Sequence, residues 1–439
     1  MKEISFIHAA DIHLGSTLNL GGKYSEQIAK QIDNAIYNTF IRICDQAIEN
    51  KVDFVIFAGD VYDQESRSVR ANIFFNEQCQ RLARKNIPVY IIAGNHDPLV
   101  GYSNLLDIPD NVHLFTAKEP ETKKVYDEGG ELIAAISGFS YRNRAESRKV
   151  HLGYDSTPGI WNIGLLHTQL ENENKNYIPS SLNELLNIDG FHYWALGHIH
   201  NYNLLHKSRD KAVVYPGIPQ GRDMGEKGLG GAVLSKLVPG SEPEITFLSL
   251  APVIYQKIEI PIDSIKSGNI NDIENLIIDI SNELLNSFFH LDIGSYNDID
   301  GFIVDWVLTG RGEISNLLGE KRDEVIPFLI RVLRQKLLKK APFIWTRKIY
   351  DRTGSPIDDY IINNNPVFND IDKITMLLKE NTLFQDELLE ELGSIWTNSS
   401  DQEEIDYSKF EFTDELFEEV LEQARHKILE ELVVRRDLS

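Results

Sequence analysis

Cysteine is nearly absent from this chain. Only Cys44 and Cys79 carry thiols among 439 residues, too few for a disulfide framework. Each falls inside a helical pattern, so both are expected to be buried free thiols. No apolar run reaches the ~18 residues that a membrane helix needs, and no membrane role is expected. The N-terminal run is broken by His8, Asp11 and His13, which does not fit a signal peptide. These absences point to a cytoplasmic protein. Repeats with a period of about 20–50 residues are missing too, as are low-complexity tracts.

Positive charge is scarce. There are 44 Lys and Arg against 67 Asp and Glu, a net of −23, which argues against broad non-specific affinity for nucleic acid. The acid is concentrated at one end. From Asp370 onward there are 20 acidic and 7 basic residues, a net of −13, which leaves −10 for residues 1–369. DNA binding by the first part is compatible with the total.

What is present is an ordinary globular composition, 42% hydrophobic and 25% charged, in a chain long enough for two or three domains. Residues 1–250 alternate β-like runs with helical patterns. ISFIHAA, DFVIFAG and PVYIIAGN are separated by amphipathic segments near 26–50 and 68–86, which implies parallel strands with crossovers. Later runs (NVHLFT, ELIAAISG, WNIGLLH, HYWALGH, AVVYPG, GGAVLSKL, EITFLSL) lack long helices between them, so a second, partly antiparallel sheet is expected. After Leu250–Pro252, the segments YQKIEIPI, 270–289, FIVDWVLTG, 322–340 and FIWTRKIYD read as β-α-β-α-β, a small α/β domain over 251–352. INNNPVFND marks a further break. An acidic helical region over 366–439 follows, ending in an amphipathic helix near 413–435.

Chemistry-bearing residues collect where strands should end. Strand one is followed by Asp11-x-His13, the second by Gly59-Asp60 with Asp63, the third by Gly94-Asn95-His96-Asp97. WNIGLLH ends in His167, and HYWALGHIH in His198-x-His200. Sites in parallel sheets gather at carboxyl ends of strands. Asp and His two apart on an extended segment point the same way, so each D-x-H or H-x-H pair can serve one site. Mixed imidazole and oxygen donors suit Mn, Fe or Zn better than Mg or Ca. Two such ions ~4 Å apart can clamp a phosphoryl group. Any one motif alone would more often be structural; the ordered set is not easily an accident.

The ordered set D-x-H, G-D-x-x-D, G-N-H-D, His and G-H-x-H resembles the calcineurin-like metallophosphoesterase superfamily over about residues 1–250. HAADIHLGS, AGDVYD, IAGNHD and YWALGHIH look like the SbcD-type DNA repair nucleases, and VYPGIPQGRDMGEKG is similar to the YhaO-type subgroup. The resemblance implies a four-layer αββα sandwich of two mixed β-sheets flanked by helices, then a small α/β capping domain and C-terminal helices. It implies two divalent ions, typically Mn2+. One would be held by Asp11, His13, Asp60 and His200, the other by Asp60, Asn95, His167 and His198. His96 would assist the leaving oxygen, with Asp63 or Asp97 orienting or tuning it. It also implies DNA as substrate, a homodimer, and an SMC-type ATPase of the SbcC type as partner, docked through the C-terminal helices. DNA contacts are sought in the basic loop with Arg142, Arg144 and Arg148, and around the helix with Arg331, Arg334 and Lys339. Two rivals remain: a phosphatase or cyclic-nucleotide phosphodiesterase on the same scaffold, and a non-catalytic scaffold.

Overall fold

The structure, a computed structural model, describes residues 1–22, 26–63, 68–101, 108–171, 176–265, 269–289, 299–354 and 366–380, with seven further positions between 417 and 428. The chain divides into two compact units. The first joins Met1–Lys257 with Glu283–Val304 and Lys336–Arg347; the second joins Ile258–Asn282 and Asp305–Gln335 with the described residues of 348–439.

In the first unit the strands are β1 (Ile4–Ala9), β2 (Phe54–Ala58), β3 (Val89–Ile92), β4 (Val112–Leu114), β5 (Glu121–Tyr126), β6 (Leu132–Gly138), β7 (Trp161–His167), β8 (Tyr193–Gly197), β9 (Asn203–Lys207), β10 (Ala212–Tyr215), β11 (Gly231–Leu237) and β12 (Glu244–Ser249). The helices are α1 (Glu26–Asp33), α2 (Ala35–Glu49), α3 (Val69–Ala83) and the short α4 (Leu182–Asn187). Two six-stranded sheets form, in the orders β12-β11-β1-β2-β3-β4 and β5-β6-β7-β8-β10-β9. In the first, β1 to β4 run parallel, and β11 and β12 add antiparallel strands. In the second, β6, β7, β8 and β10 run parallel, with β5 and β9 antiparallel at the two edges.

The layers follow from the two-residue period of strand side chains. Ile7, Ala9, Val55 and Phe57 join the core that holds Ile36, Phe40 and Ile43 of α2 and Phe75 of α3. Their alternates Ile4, Phe6, Phe54 and Ile56 meet Ile136, Ile163, Tyr193 and Ala195 between the sheets. On the far side of the second sheet, Phe139, Leu166, Trp194 and Leu196 pack with Leu185 of α4. That stack of helix, sheet, sheet and helix is the mixed α/β sandwich expected. Because β1, β2, β7 and β8 are buried on both faces, they read as continuous apolar runs and not as alternating ones. His8 belongs to the inter-sheet layer, its ring bonded to Tyr193 Oη and the Leu196 carbonyl, both at 3.1 Å. Cys44 and Cys79 are free and buried, as expected.

Two strands escaped the sequence reading. ETKKVY (β5) and NLLHK (β9) are edge strands whose residues are mostly half-buried or exposed. Charged edges resist pairing with other chains, and the same charges erase the apolar pattern.

After Leu250 the order is β13 (Val253–Pro261), α5 (Ile270–Phe289), β14 (Gly301–Thr309), α6 (Ile314–Leu337) and β15 (Phe343–Asp351), with a three-stranded sheet β13-β14-β15. Helix α6 starts earlier than the expected 322–340. Non-helical backbone at Lys321 splits it, so the periodic pattern only becomes continuous beyond that point. Helix α7 (Pro366–Glu380) opens the acidic region. The expected helix at 413–435 lies outside the described residues except for those seven positions. All seven are helical, with Phe417 and Leu421 buried and Arg425 bonded to Asp372 of α7 at 2.6 Å.

Candidate metal centre

The site is assembled where β1, β2, β3, β7 and β8 end. Strand β1 stops at Ala9, and its continuation is laced onto the segment after β2. Asp11 N donates to Gly59 O at 3.0 Å, His13 N to Asp60 O at 3.0 Å and Leu14 N to Val61 O at 2.8 Å. The extended D-x-H geometry expected from sequence is therefore wrong in detail. Asp11 and His13 adopt left-handed backbone, with φ of 54° and 50°, as do Asp60 at 51° and His198 at 94°. Backbone of that kind is disfavoured for residues with side chains and gathers at functional sites. Among the described residues, four of the eight non-glycine positions of this kind are metal-ligand candidates, a concentration that a merely structural set would not need.

Glycines make room for these groups. A Cβ on Gly94 would lie 2.2 Å from Asp60 Oδ1, and one on Gly59 would lie 2.4 Å from His167 Nδ1. A Cβ on Gly197 would strike the Ala58 carbonyl oxygen at 2.0 Å. Gly59, at φ 94°, also supplies the turn before Asp60.

The side chains converge in two groups. Ligand atoms of Asp11, His13 and His200 lie within 4.8 Å of one another, and so do those of Asp11, Asp60 and His167. Asn95 Oδ1 stands 2.9 Å from His167 Nε2 and 3.1 Å from His198 Nδ1. His167 Nε2 is 3.2 Å from Asp60 Oδ2, while its Nδ1 faces the Ala58 carbonyl at 2.9 Å. Thus all seven expected ligand candidates meet at one place.

Electrostatics within the set are those of acids in need of positive charge. Burial pushes the Asp11 carboxyl above its usual range, against the pull of His167 and His200. Burial acts the same way on Asp60, but the charge and hydrogen bond of His167 outweigh it and hold that carboxyl low. His167 is the counterpart. Burial works against its charge, yet Asp60 raises it to about 9. His198 is lowered to about 3 by burial and then by His167. His13 is lowered by burial first and Arg222 second. Among the described residues neither ring nitrogen of His13 has a hydrogen-bond partner, though both are buried. An unpartnered buried imidazole, two buried carboxylates and glycine-cleared space fit a divalent cation well.

His96 is exposed at the rim. Its ring meets His13 edge to face at 5.2 Å, and its backbone N–H is held by Asp60 Oδ1 at 2.8 Å. Asp97 is buried and accepts three backbone bonds, from Gly94 N at 2.6 Å, Val61 N at 2.9 Å and Tyr62 N at 3.3 Å. It ties the segment after β3 to the one after β2. Asp63 accepts from Ser16 Oγ at 3.1 Å.

Sequence reasoning gave no role to Glu226 and Arg222. Glu226 Oε1 accepts from His200 Nδ1 at 2.8 Å and from Arg222 at 2.6 Å, and Arg222 N donates to Glu226 Oε2 at 2.7 Å. The available signal was an Arg and a Glu four apart in QGRDMGEKG.

The basic candidates differ in setting. Arg142 and Arg144 are exposed, on a loop whose backbone bonds Leu99 and Val100 just beyond Gly94–Asp97. Arg148 is bound bidentately by Glu146 and lies over Phe139 at 5.0 Å. Arg331 and Lys339 are exposed and Arg334 is half-buried. Among the described residues no helix is long and apolar enough to cross a membrane.

Comparisons with known proteins identify the family. Residues 4–202 match the calcineurin-like phosphoesterase family. The uncharacterized metallophosphoesterase YhaO of Bacillus subtilis is 30% identical over 85% of this chain and 88% of its own. The DNA double-strand break repair protein Mre11 of Methanocaldococcus jannaschii is 28% identical over 48% of this chain, and the SbcD component of the nuclease SbcCD of B. subtilis is 30% identical over 33%. The chain spans 55% and 35% of the lengths of those two relatives. With YhaO aligned along nearly its whole length, the chain belongs to the calcineurin-like phosphoesterase family, in its SbcD-type subgroup.

Proposed function

We propose that this protein is a two-metal-dependent DNA phosphodiesterase, the nuclease subunit of a DNA repair complex. The observation that carries the reading is the convergence of Asp11, His13, Asp60, Asn95, His167, His198 and His200 beside an exposed His96. One ion would be held by Asp11, His13, Asp60 and His200, the other by Asp60, Asn95, His167 and His198. Manganese suits this mixed imidazole and oxygen set. When bound, the ions supply Lewis-acid charge at a phosphoryl group.

The chain's own residues do the rest. Two carboxylates leave the occupied site positive overall, which attracts a phosphodiester. His96, exposed beside the His13 ring with its backbone N–H on Asp60, would hand a proton to the departing oxygen. Asp97 fixes the segment that carries Asn95 and His96. Arg142 and Arg144 would contact backbone phosphates. The 251–352 segment would help place DNA as a cap. The acidic region over 366–439 would dock an SMC-type ATPase, with the nuclease working as a homodimer.

Manganese-dependent cleavage of linear double-stranded and single-stranded DNA tests the reading, with Asp60→Ala and His96→Ala in parallel. Failure on every DNA, with turnover of small phosphoesters, would favour a phosphatase instead. Wild-type behaviour of both variants, with no bound metal, would leave a scaffold. Deleting 413–439 should abolish co-purification with the ATPase.

A further inference from the structure

Two histidines in the metal centre are oriented in different ways. His167 turns its Nδ1 to the Ala58 carbonyl, a backbone group that no substitution removes. His200 turns its Nδ1 to a side chain, Glu226, at 2.8 Å. That leaves the Nε2 of His200 facing Asp11, 3.9 Å from Oδ1.

Glu226 is itself fixed. Arg222 grips its carboxylate through Nε and an Nη, and the Arg222 backbone N–H adds a bond at 2.7 Å. The segment that carries both residues is anchored at several points. Asp223 Oδ1 accepts from Gly225 N at 2.8 Å, the Arg222 carbonyl accepts from Tyr255 Oη at 2.7 Å, and Asn19 N donates to that same carbonyl at 2.7 Å. A Cβ on Gly221 would meet the Glu226 carbonyl oxygen at 2.3 Å, so the turn is closed on itself. A carboxylate fixed this firmly on one imidazole nitrogen selects the tautomer whose other nitrogen offers a lone pair.

We infer that Glu226, held by Arg222, is a positioning residue that aims His200 Nε2 at the metal position shared with Asp11 and His13. The inference rests on the metal-dependent reading above and deepens it. It assigns a side-chain support to one ion and a backbone support, Ala58 O on His167, to the other. The two positions should therefore respond differently to one substitution. Partners of this kind typically change metal affinity by roughly 10–100-fold when removed.

The test is a calorimetric titration of metal-stripped protein with MnCl2, comparing wild type, Glu226→Ala, Glu226→Gln and Arg222→Ala. The expected wild-type isotherm shows two Mn2+ per chain. Glu226→Ala should weaken one of them by roughly 10–100-fold and leave the other within about threefold. Glu226→Gln keeps an oxygen for His200 Nδ1–H and should recover most of that loss. Arg222→Ala, which frees the carboxylate to swing, should fall between. Thermal melting of the metal-free variants separates this from a simple packing role, which would lower the Tm without splitting the two sites. If wild type binds two Mn2+ and Glu226→Ala binds both equally well, the positioning role is refuted and the metal reading stands. If wild type binds none, both fall. If both sites weaken together in Glu226→Ala and Glu226→Gln alike, Glu226 supports the whole fold, and the site-specific role is refuted.

Discussion

Replacing Gly94 with alanine adds one methyl group, and the structure says where it goes. The new Cβ would stand 2.2 Å from Asp60 Oδ1 and 2.8 Å from both Asp60 Cγ and the Asp60 backbone N. A tolerable contact is roughly 3.4 Å, so the carboxylate must retreat by about 1 Å. That same oxygen accepts the His96 backbone N–H at 2.8 Å. Losing a hydrogen bond to a charged acceptor costs about 1.5–3 kcal/mol, and forcing the side chain off its rotamer adds about 0.5–1.5 kcal/mol. A destabilisation of about 2–4.5 kcal/mol follows for Gly94→Ala. Misplacing a reacting group by ~1 Å can remove ~10²-fold of rate, so hydrolysis of bis(p-nitrophenyl) phosphate should fall by at least about that factor. Gly94 is not among the left-handed glycines, so the effect is collision and not backbone strain. Gly319 serves as the control, since a Cβ there meets nothing within 4 Å and helix α6 should accept alanine. Were Gly94→Ala to keep wild-type turnover and unfold at the wild-type denaturant midpoint, the packing of Asp60 against Gly94 would be irrelevant to the site.

Three further outcomes are expected. His96→Ala should lower turnover by about 10²–10⁴-fold while Mn2+ binding by calorimetry stays unchanged, since His96 is outside the proposed ligand set. Chelation should lower the melting temperature, and MnCl2 should restore it, because a ligand at 100 times its Kd adds about 2.7 kcal/mol per site; an unmoved Tm would count against any bound ion. His8, lowered to about 3 by burial, stays neutral in the folded chain while the unfolded chain takes up a proton below about 6.5. The unfolded state then binds more protons, so stability falls as pH drops from 6.5 toward 3. At pH 5.5 the His8 share is about 1.4 kcal/mol, and His8→Gln should flatten the denaturant midpoint between pH 7.5 and 5.5 by that amount.

Much of the fold was legible because the central strands are apolar on both faces and end on polar residues. ISFIHAA, DFVIFAG and WNIGLLH announce themselves. ETKKVY and NLLHK do not, since an edge strand needs neither apolar alternation nor β-branched bulk. For the site, order along the chain was enough to pick out the seven residues that converge. Their backbone was not legible. D-x-H looked like strand geometry, yet Asp11 and His13 are bent into left-handed turns by bonds to residues 59 and 60, far away in sequence. Glu226 was missed for a related reason: its partner His200 lies 26 positions earlier, on another strand end. Helix α6 was misjudged at its start because a local break at Lys321 interrupts the period.

The left-handed backbone at Asp11, His13, Asp60 and His198 has a consequence for variation in this chain. Each residue stores of order 1–3 kcal/mol that a glycine would release. That strain offsets part of what the hydrogen bonds and burial of these side chains contribute, and if the proposed ion is bound, His13→Gly should cost the metal-free protein less stability than the metal-loaded one, read as the two shifts in Tm. The strained turns therefore tie retention of the ligand set to retention of metal. Of the four, His13 is the position where loss of metal would most relax the demand for its side chain, because among the described residues its ring nitrogens have no hydrogen-bond partner.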